Sequence, residues 1–164
     1  MGTNPGTLRI LAAIRMPLLG QRSRAASQDW QPPLRGLAPA YFAAVIDHLG
    51  LEVSDLTVSA RFYDAVFFAL GARRMHEGPS AVAYGKDGPT FWIVERGRAP
   101  QPGYGHVALQ AAGRRAVDAA HAAGLANGGS DDGAPGPRPQ YGPRTYAGYL
   151  LDPDGLRIEV VSVR

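Results

Sequence analysis

His48, His106 and Glu159 are the residues of this chain whose types suit metal chemistry, and the two histidines stand in segments of the same pattern, 58 positions apart. Two imidazoles and one carboxylate on one side of a divalent ion leave coordination positions open for water and substrate. Such an ion polarises a substrate oxygen, stabilises an enolate or, if it is iron, activates oxygen. Taken singly, each His reads first as a hydrogen-bonded strand residue, and the match between the two segments is what favours a ligand role. The spacing has none of the compactness of an HExxH helix, so the fold must supply the geometry. With no Cys in the chain, disulfide scaffolds, Cys-ligated zinc modules, iron–sulfur clusters and thiol nucleophiles are excluded. Any metal is left to imidazole and carboxylate.

The elements that must position these groups are legible as a repeat. Ile46 to Val53 alternates as a strand with two different faces, Leu49, Leu51 and Val53 on one and His48, Gly50 and Glu52 on the other. Gly105 to Gln110 repeats the pattern, with Val107 and Leu109 apolar and His106, Ala108 and Gln110 opposite. Each strand leads into a helix. Ser54 and Asp55 offer caps to the first, in which Val58, Phe62, Val66 and Leu70 recur at fourfold spacing before Gly71 stops it. The second is the Ala-rich run Arg114 to Ala123, ending at Gly124, with Val117, Ala120 and His121 on its packing side. Asp87-Gly88 and Asp154-Gly155, 67 positions apart, each open a later strand, which makes Trp92 and Glu159 equivalent positions. A Gly/Pro loop is expected from Asp131 to Pro143. Each half thus reads as strand, helix, then two or three strands, and neither covers both faces of its sheet alone. Residues 46–98 and 103–164 are therefore expected to form one pseudo-symmetric α+β unit.

Over about residues 46–163 the chain resembles the vicinal oxygen chelate superfamily, which includes glyoxalase I, extradiol ring-cleaving dioxygenases, fosfomycin-resistance thiol transferases and bleomycin-binding proteins. The carriers are Ile46 to Asp55 with the following Arg61-Phe62-Tyr63, then Gly105 to Leu109, and finally Leu151 to Glu159 through Asp152-Pro153-Asp154-Gly155. The resemblance implies paired βαβββ modules forming a half-open, cup-shaped, eight-stranded mixed sheet with helices outside. It places His48, His106 and Glu159 on the family's ligand positions for one divalent ion, whether iron, zinc, manganese or nickel. Glyoxalase I-like members usually carry a carboxylate ligand where this chain has Trp92, whose indole cannot coordinate in that role. A three-ligand site looks more like the extradiol and fosfomycin enzymes. Yet Gly50 stands where the latter usually have Thr, and His76 and His121, expected in a turn and a helix, are poor candidates for the extra catalytic His of the former. Small glyoxalase-like proteins with a Tyr-rich loop before the DPDG turn are closest in pattern. Members commonly dimerise, so a homodimer that completes its cups between chains is implied.

The loop Arg138 to Tyr149 is the best candidate for substrate contact, since specificity is usually built on loops. Tyr141, Tyr146 and Tyr149 offer hydrogen bonds or stacking, and Arg144 offers a partner for a carboxylate or phosphate. Packing aromatics and a solvated Arg are the alternative readings of the same residues. Trp92 is expected as an apolar wall beside the metal. Glu159 and Glu52 are the candidate catalytic carboxylates, Glu52 as a base or a partner of a ligand, with a rim position as its plainer reading. Three functions fit: a metal-dependent lyase or isomerase working through an enolate, an Fe(II) ring-cleaving dioxygenase, and a drug-binding resistance protein without catalysis. The three-donor set favours the enzymes, because a pure binder has no need of it.

The chain has 164 residues and a formal charge of +3, which at first sight suits a polyanion partner. The excess lies in residues 1–45, where five Arg face Asp29 alone. Residues 46–164 carry twelve basic and thirteen acidic side chains, so neither nucleic acid nor a membrane is expected as partner. The leading segment, with Pro5, Pro17, Pro32, Pro33 and Pro39, reads as a flexible basic extension or an upstream start assigned in error. Its apolar stretch Leu8 to Leu19 is interrupted by Arg9 and Arg15, too charged for a signal or spanning segment, and a cytoplasmic protein is expected.

Overall fold

A computed structural model describes residues 46–101 and 103–164; the basic extension read in residues 1–45 lies outside them. The first module runs β1 (Leu49–Val53), α1 (Leu56–Ala69), β2 (Arg73–Glu77), β3 (Ala81–Gly85) and β4 (Phe91–Glu95). The second runs β5 (His106–Gln110), α2 (Arg114–Ala126), β6 (Ser130–Pro137), β7 (Tyr146–Leu151) and β8 (Arg157–Ser162). The two βαβββ modules give two four-stranded mixed sheets, ordered β1-β4-β3-β2 and β5-β8-β7-β6. The repeat read from sequence is reproduced in the register. Gly50 stands opposite Trp92 across the parallel β1–β4 pair, as Ala108 stands opposite Glu159 across β5–β8.

Local chemistry explains most element ends. Asp55 caps α1 by accepting from the Val58 backbone N–H at 2.9 Å, and Gly71, at φ +72°, takes the left-handed turn that closes it. Phe62, Val66 and Leu70 of the fourfold series are buried, but Val58, in the first turn of α1, is 48% exposed. β1 begins at Leu49, three residues later than the alternation suggests. The Leu49 N–H reaches the Thr90 carbonyl at 2.9 Å, while the Thr90 N–H, which would continue the ladder backwards, donates instead to the Tyr84 carbonyl at 2.9 Å. His48 therefore precedes β1. His76, expected in a turn, lies in β2.

Two expectations in the second module need correction. Residues 130–137 form strand β6, paired with β7 through two register shifts, where a loop from Asp131 to Pro143 was expected. Gly and Pro hide the alternation there, and an edge strand tolerates both at its irregular positions. Helix α2 runs through Gly124 to Ala126, so Gly124 is no terminator. A Cβ at that position would lie 2.6 Å from Leu150 Cδ1 and 3.0 Å from Phe62 Cε2, and the glycine is there for close packing between α2, α1 and β7.

Both sheets bury one face under the helices. Phe62, Tyr63 and Val66 of α1 pack on Val53, Phe91 and Ile93, while Val117 and Ala120 of α2 pack on Leu150, Ile158 and Val160. The DPDG turn joins the modules. The Tyr63 hydroxyl donates to buried Asp152 at 2.7 Å, and Asp154 accepts from the Ser54 backbone N–H at 3.0 Å. Asp152 also accepts from the N–H groups of Asp154 and Leu156, and burial still pushes its carboxyl above the usual range. The opposite face of each sheet carries His106, Glu159 and Tyr149 in the second module, and Glu52 and Trp92 in the first.

Candidate metal centre

His106 opens β5, and Glu159 lies on the adjacent β8 with Ala108 on one side and Tyr149 of β7 on the other. The period of two sends all three long side chains to the open face. His106 Nε2 lies 3.0 Å from Glu159 Oε2. Glu159 is only 8% exposed, and a buried carboxylate is stable only with such partners. The Tyr149 hydroxyl is pushed above its usual 10.0 by burial first, and next by the negative charge of Glu159 beside it. Its ring meets the His106 ring edge-on at 6.4 Å and carries the guanidinium groups of Arg138 and Arg157 at 5.8 and 5.7 Å.

His106, Tyr149, Arg138 and Arg157 border a cavity of about 280 Å³, whose lining is completed by Tyr141, Gln140 and Asp132. A hollow of about 780 Å³ lies elsewhere, on the outside of α1 and the β2–β3 turn, and shares none of these residues. Of its charged groups, Asp64, Arg74 and Glu77 are bonded to one another, and Arg61 donates to Asn127 Oδ1 at 3.4 Å.

The first module arranges its candidates differently. His48 is exposed, its Nδ1 2.7 Å from Asp47 Oδ1. Trp92 lies between Gly50 and Ala83 and packs against the His76 ring at 5.2 Å. Glu52 receives a two-pronged grip from Arg98 at 2.6 and 2.7 Å, with Arg96 at 3.3 Å. The hydrogen bond from Arg98 holds its carboxyl below the usual value, which makes Glu52 a weak proton acceptor.

Of the loop candidates, Tyr141 and Tyr149 border the cavity. Tyr146, three positions before Tyr149, faces the helix side, where its hydroxyl donates to Asp118 at 2.8 Å and Arg114 lies over its ring. Arg144 is exposed and outside the lining. The arginines that do line it, Arg138 and Arg157, were not singled out from sequence. Arg157 stands two residues before Glu159 on the same face, so the period of two was the available signal.

His106 and Glu159 fit a divalent ion in kind: an imidazole nitrogen on the wall of a polar cavity lies 3.0 Å from a carboxylate oxygen, and both are ligand types such an ion takes. His48, the third donor expected from the sequence, is not beside them. Among the described residues no three His, Asp or Glu side chains are grouped closely enough to hold a metal, so the structure brings His106 and Glu159 together and leaves His48 apart.

Paired βαβββ modules with a His–Glu pair on the open face define a glyoxalase-like architecture. The family model described as the Glyoxalase/Bleomycin resistance protein/Dioxygenase superfamily matches residues 45–160, and the chain belongs to that superfamily. It is similar to a glyoxalase/bleomycin resistance protein from Albidiferax ferrireducens T118, with 34% identity over 70% of this chain and 95% of that one and a TM-score of 0.63. A glyoxalase-related enzyme from Fulvimarina pelagi shares the fold at 23% identity and a TM-score of 0.58, covering 73% of this chain and 88% of that one. The fosfomycin resistance protein FosX from Mesorhizobium loti does so at 18% and 0.55, covering 73% and 92%. No curated protein matches the chain. Superfamily members typically bind small molecules and use a divalent metal. No helix among the described residues is long and apolar enough to cross a membrane.

Proposed function

We propose that this chain is a metal-dependent, glyoxalase-like enzyme that chelates a small oxygenated organic substrate and performs lyase or isomerase chemistry through an enolate. The observation that carries this reading is the approach of His106 Nε2 to Glu159 Oε2 at 3.0 Å beside a polar cavity, in a member of this superfamily. His106 and Glu159 would hold the ion, with His48 as the third donor. Because His48 is not grouped with them in one chain, a second copy supplies it, and the working unit is a homodimer. When bound, the ion withdraws charge from a substrate oxygen and makes the neighbouring carbon acidic.

The chain's own groups do the rest. Glu159 is positioned to take a proton from substrate at a carboxylate oxygen, and the neutral Tyr149 hydroxyl beside it holds that carboxylate in place. Tyr141 and Trp92 would shape the substrate's surroundings. Glu52, bound to Arg98 and Arg96, is left out of proton transfer.

Elemental analysis of full-length protein purified without added metal tests this reading, together with His48→Ala, His106→Ala and Glu159→Ala. The expected result is one ion per chain in the wild type and a loss of affinity of at least roughly 10-fold in each variant, the scale seen even for groups that only support a ligand. Stoichiometric metal surviving both His48→Ala and Glu159→Ala would overturn it. Iron together with oxygen uptake on catechols would replace the lyase reading with ring cleavage.

A further inference from the structure

We propose that Arg138 determines the specificity of the cavity beside His106, and that the substrate is a small carboxylate whose carboxyl group Arg138 binds. The inference rests on the reading of His106 and Glu159 as the substrate's metal site. Two guanidinium groups and one carboxylate line this cavity, those of Arg138, Arg157 and Asp132. Arg157 and Asp132 neutralise each other through a direct ion pair, which also holds the Asp132 carboxyl below its usual value. Arg138 has no acidic partner among the described residues. It is half-buried, and its donors go to neutral acceptors: Nη2 to the Ala134 carbonyl at 2.8 Å and Nη1 to the Pro137 carbonyl at 3.3 Å.

These two bonds, with the Tyr149 ring at 5.8 Å, fix the group without cancelling its charge. Gly136 makes room for it, since a Cβ there would lie 3.1 Å from Nη1. A guanidinium has five N–H donors, and two are occupied here, so three remain for a ligand. A planar fork held in advance matches the two oxygens of a carboxylate and spends little ordering entropy on binding. The volume of about 280 Å³ sits at the small end of ligand pockets, which span roughly 300–1,000 Å³. A ligand held beside His106, which lines this cavity with Arg138, therefore ends within the same small space.

Calorimetric titration of the metal-loaded full chain with L-malate and L-lactate tests the assignment. Both acids offer the same hydroxy-carboxylate chelate, and malate adds a second carboxylate. Malate is expected to bind roughly 10- to 100-fold more tightly, the range for hydrogen bonds to a charged group. Arg138→Gln should abolish this preference while metal uptake stays intact, and Arg115→Gln, on the exposed side of α2, should retain it. A preference that survives Arg138→Gln overturns the inference alone. So does an Arg138-dependent preference seen for phosphoglycerate over glycerate but absent for malate over lactate, which would assign a tetrahedral anion instead. Failure of the wild type to take up metal overturns the metal reading and this inference with it.

Discussion

Tyr149 shows how one side chain's environment fixes its protonation state. Burial and the neighbouring Glu159 both disfavour a phenolate, so its hydroxyl ionises above the usual 10.0. A folded-state value above the unfolded one means that the neutral phenol is favoured by the fold. Its stabilising contribution is fully present below pH 10.0 and is lost as pH rises through the folded-state value. Near-ultraviolet phenolate absorbance, compared between wild type and Tyr149→Phe, should show the missing tyrosine titrating above 10.0, with the wild type losing its excess stability to urea over the same interval. A midpoint at or below the usual value would contradict the placement of Glu159 beside the ring. At this scale the sequence singled out His106 and Glu159, because a repeated strand pattern assigns faces without knowledge of the fold, whereas Tyr149, singled out as part of a loop, lies in strand β7. It did not disclose Arg138. Choosing between Arg138 and Arg144 depends on how the β6–β7 connection folds back, and no period governs a connection.

At the scale of elements, the DPDG turn is a joint between modules as well as a lead into β8. Asp152 is buried and accepts from the Tyr63 hydroxyl and from two backbone N–H groups of its own turn. Asp152→Ala leaves these donors without a partner and should cost about 2–3 kcal/mol of unfolding free energy in urea. Asp152→Asn should cost less. Its amide oxygen still accepts from the turn, its amide group can donate to the Tyr63 oxygen, and it removes a charge that burial disfavours. An Asn variant as unstable as the Ala variant would show that ionised Asp152 is indispensable. Elements were legible wherever a period or a cap marked them, as at Asp55 and Gly71 on α1. They were misread where a glycine served packing: Gly124 looked like a stop signal, and the Gly and Pro residues of β6 looked like a loop. In both places a tertiary neighbour decides, Leu150 and Phe62 against Gly124, and β7 alongside β6.

For the whole molecule, the repeat foretold two matched modules, and the register of β1–β4 and β5–β8 bears this out. What a repeat cannot foretell is which copies of the modules face each other. The two four-stranded sheets are not hydrogen-bonded to one another, and β1 and β5 stand at their edges with His48 and His106 exposed. An unpaired edge strand is a ready surface for another chain. If a site takes His106 and Glu159 from one chain and His48 from its partner, two defective chains can repair each other. Mixing His48→Ala with His106→Ala protein, after exchange of subunits, gives mixed dimers in half of the population. Each mixed dimer has one site with all three donors and one lacking both histidines, because a twofold interface pairs the same surfaces in reverse. About a quarter of all sites should then regain the wild-type metal affinity that both parent variants have lost. A site built within one chain gives no recovery at any mixing ratio. Metal content as a function of mixing ratio thus separates the two assemblies without knowledge of the substrate, and a flat profile would return His48 to its own chain's cup or exclude it from the metal altogether.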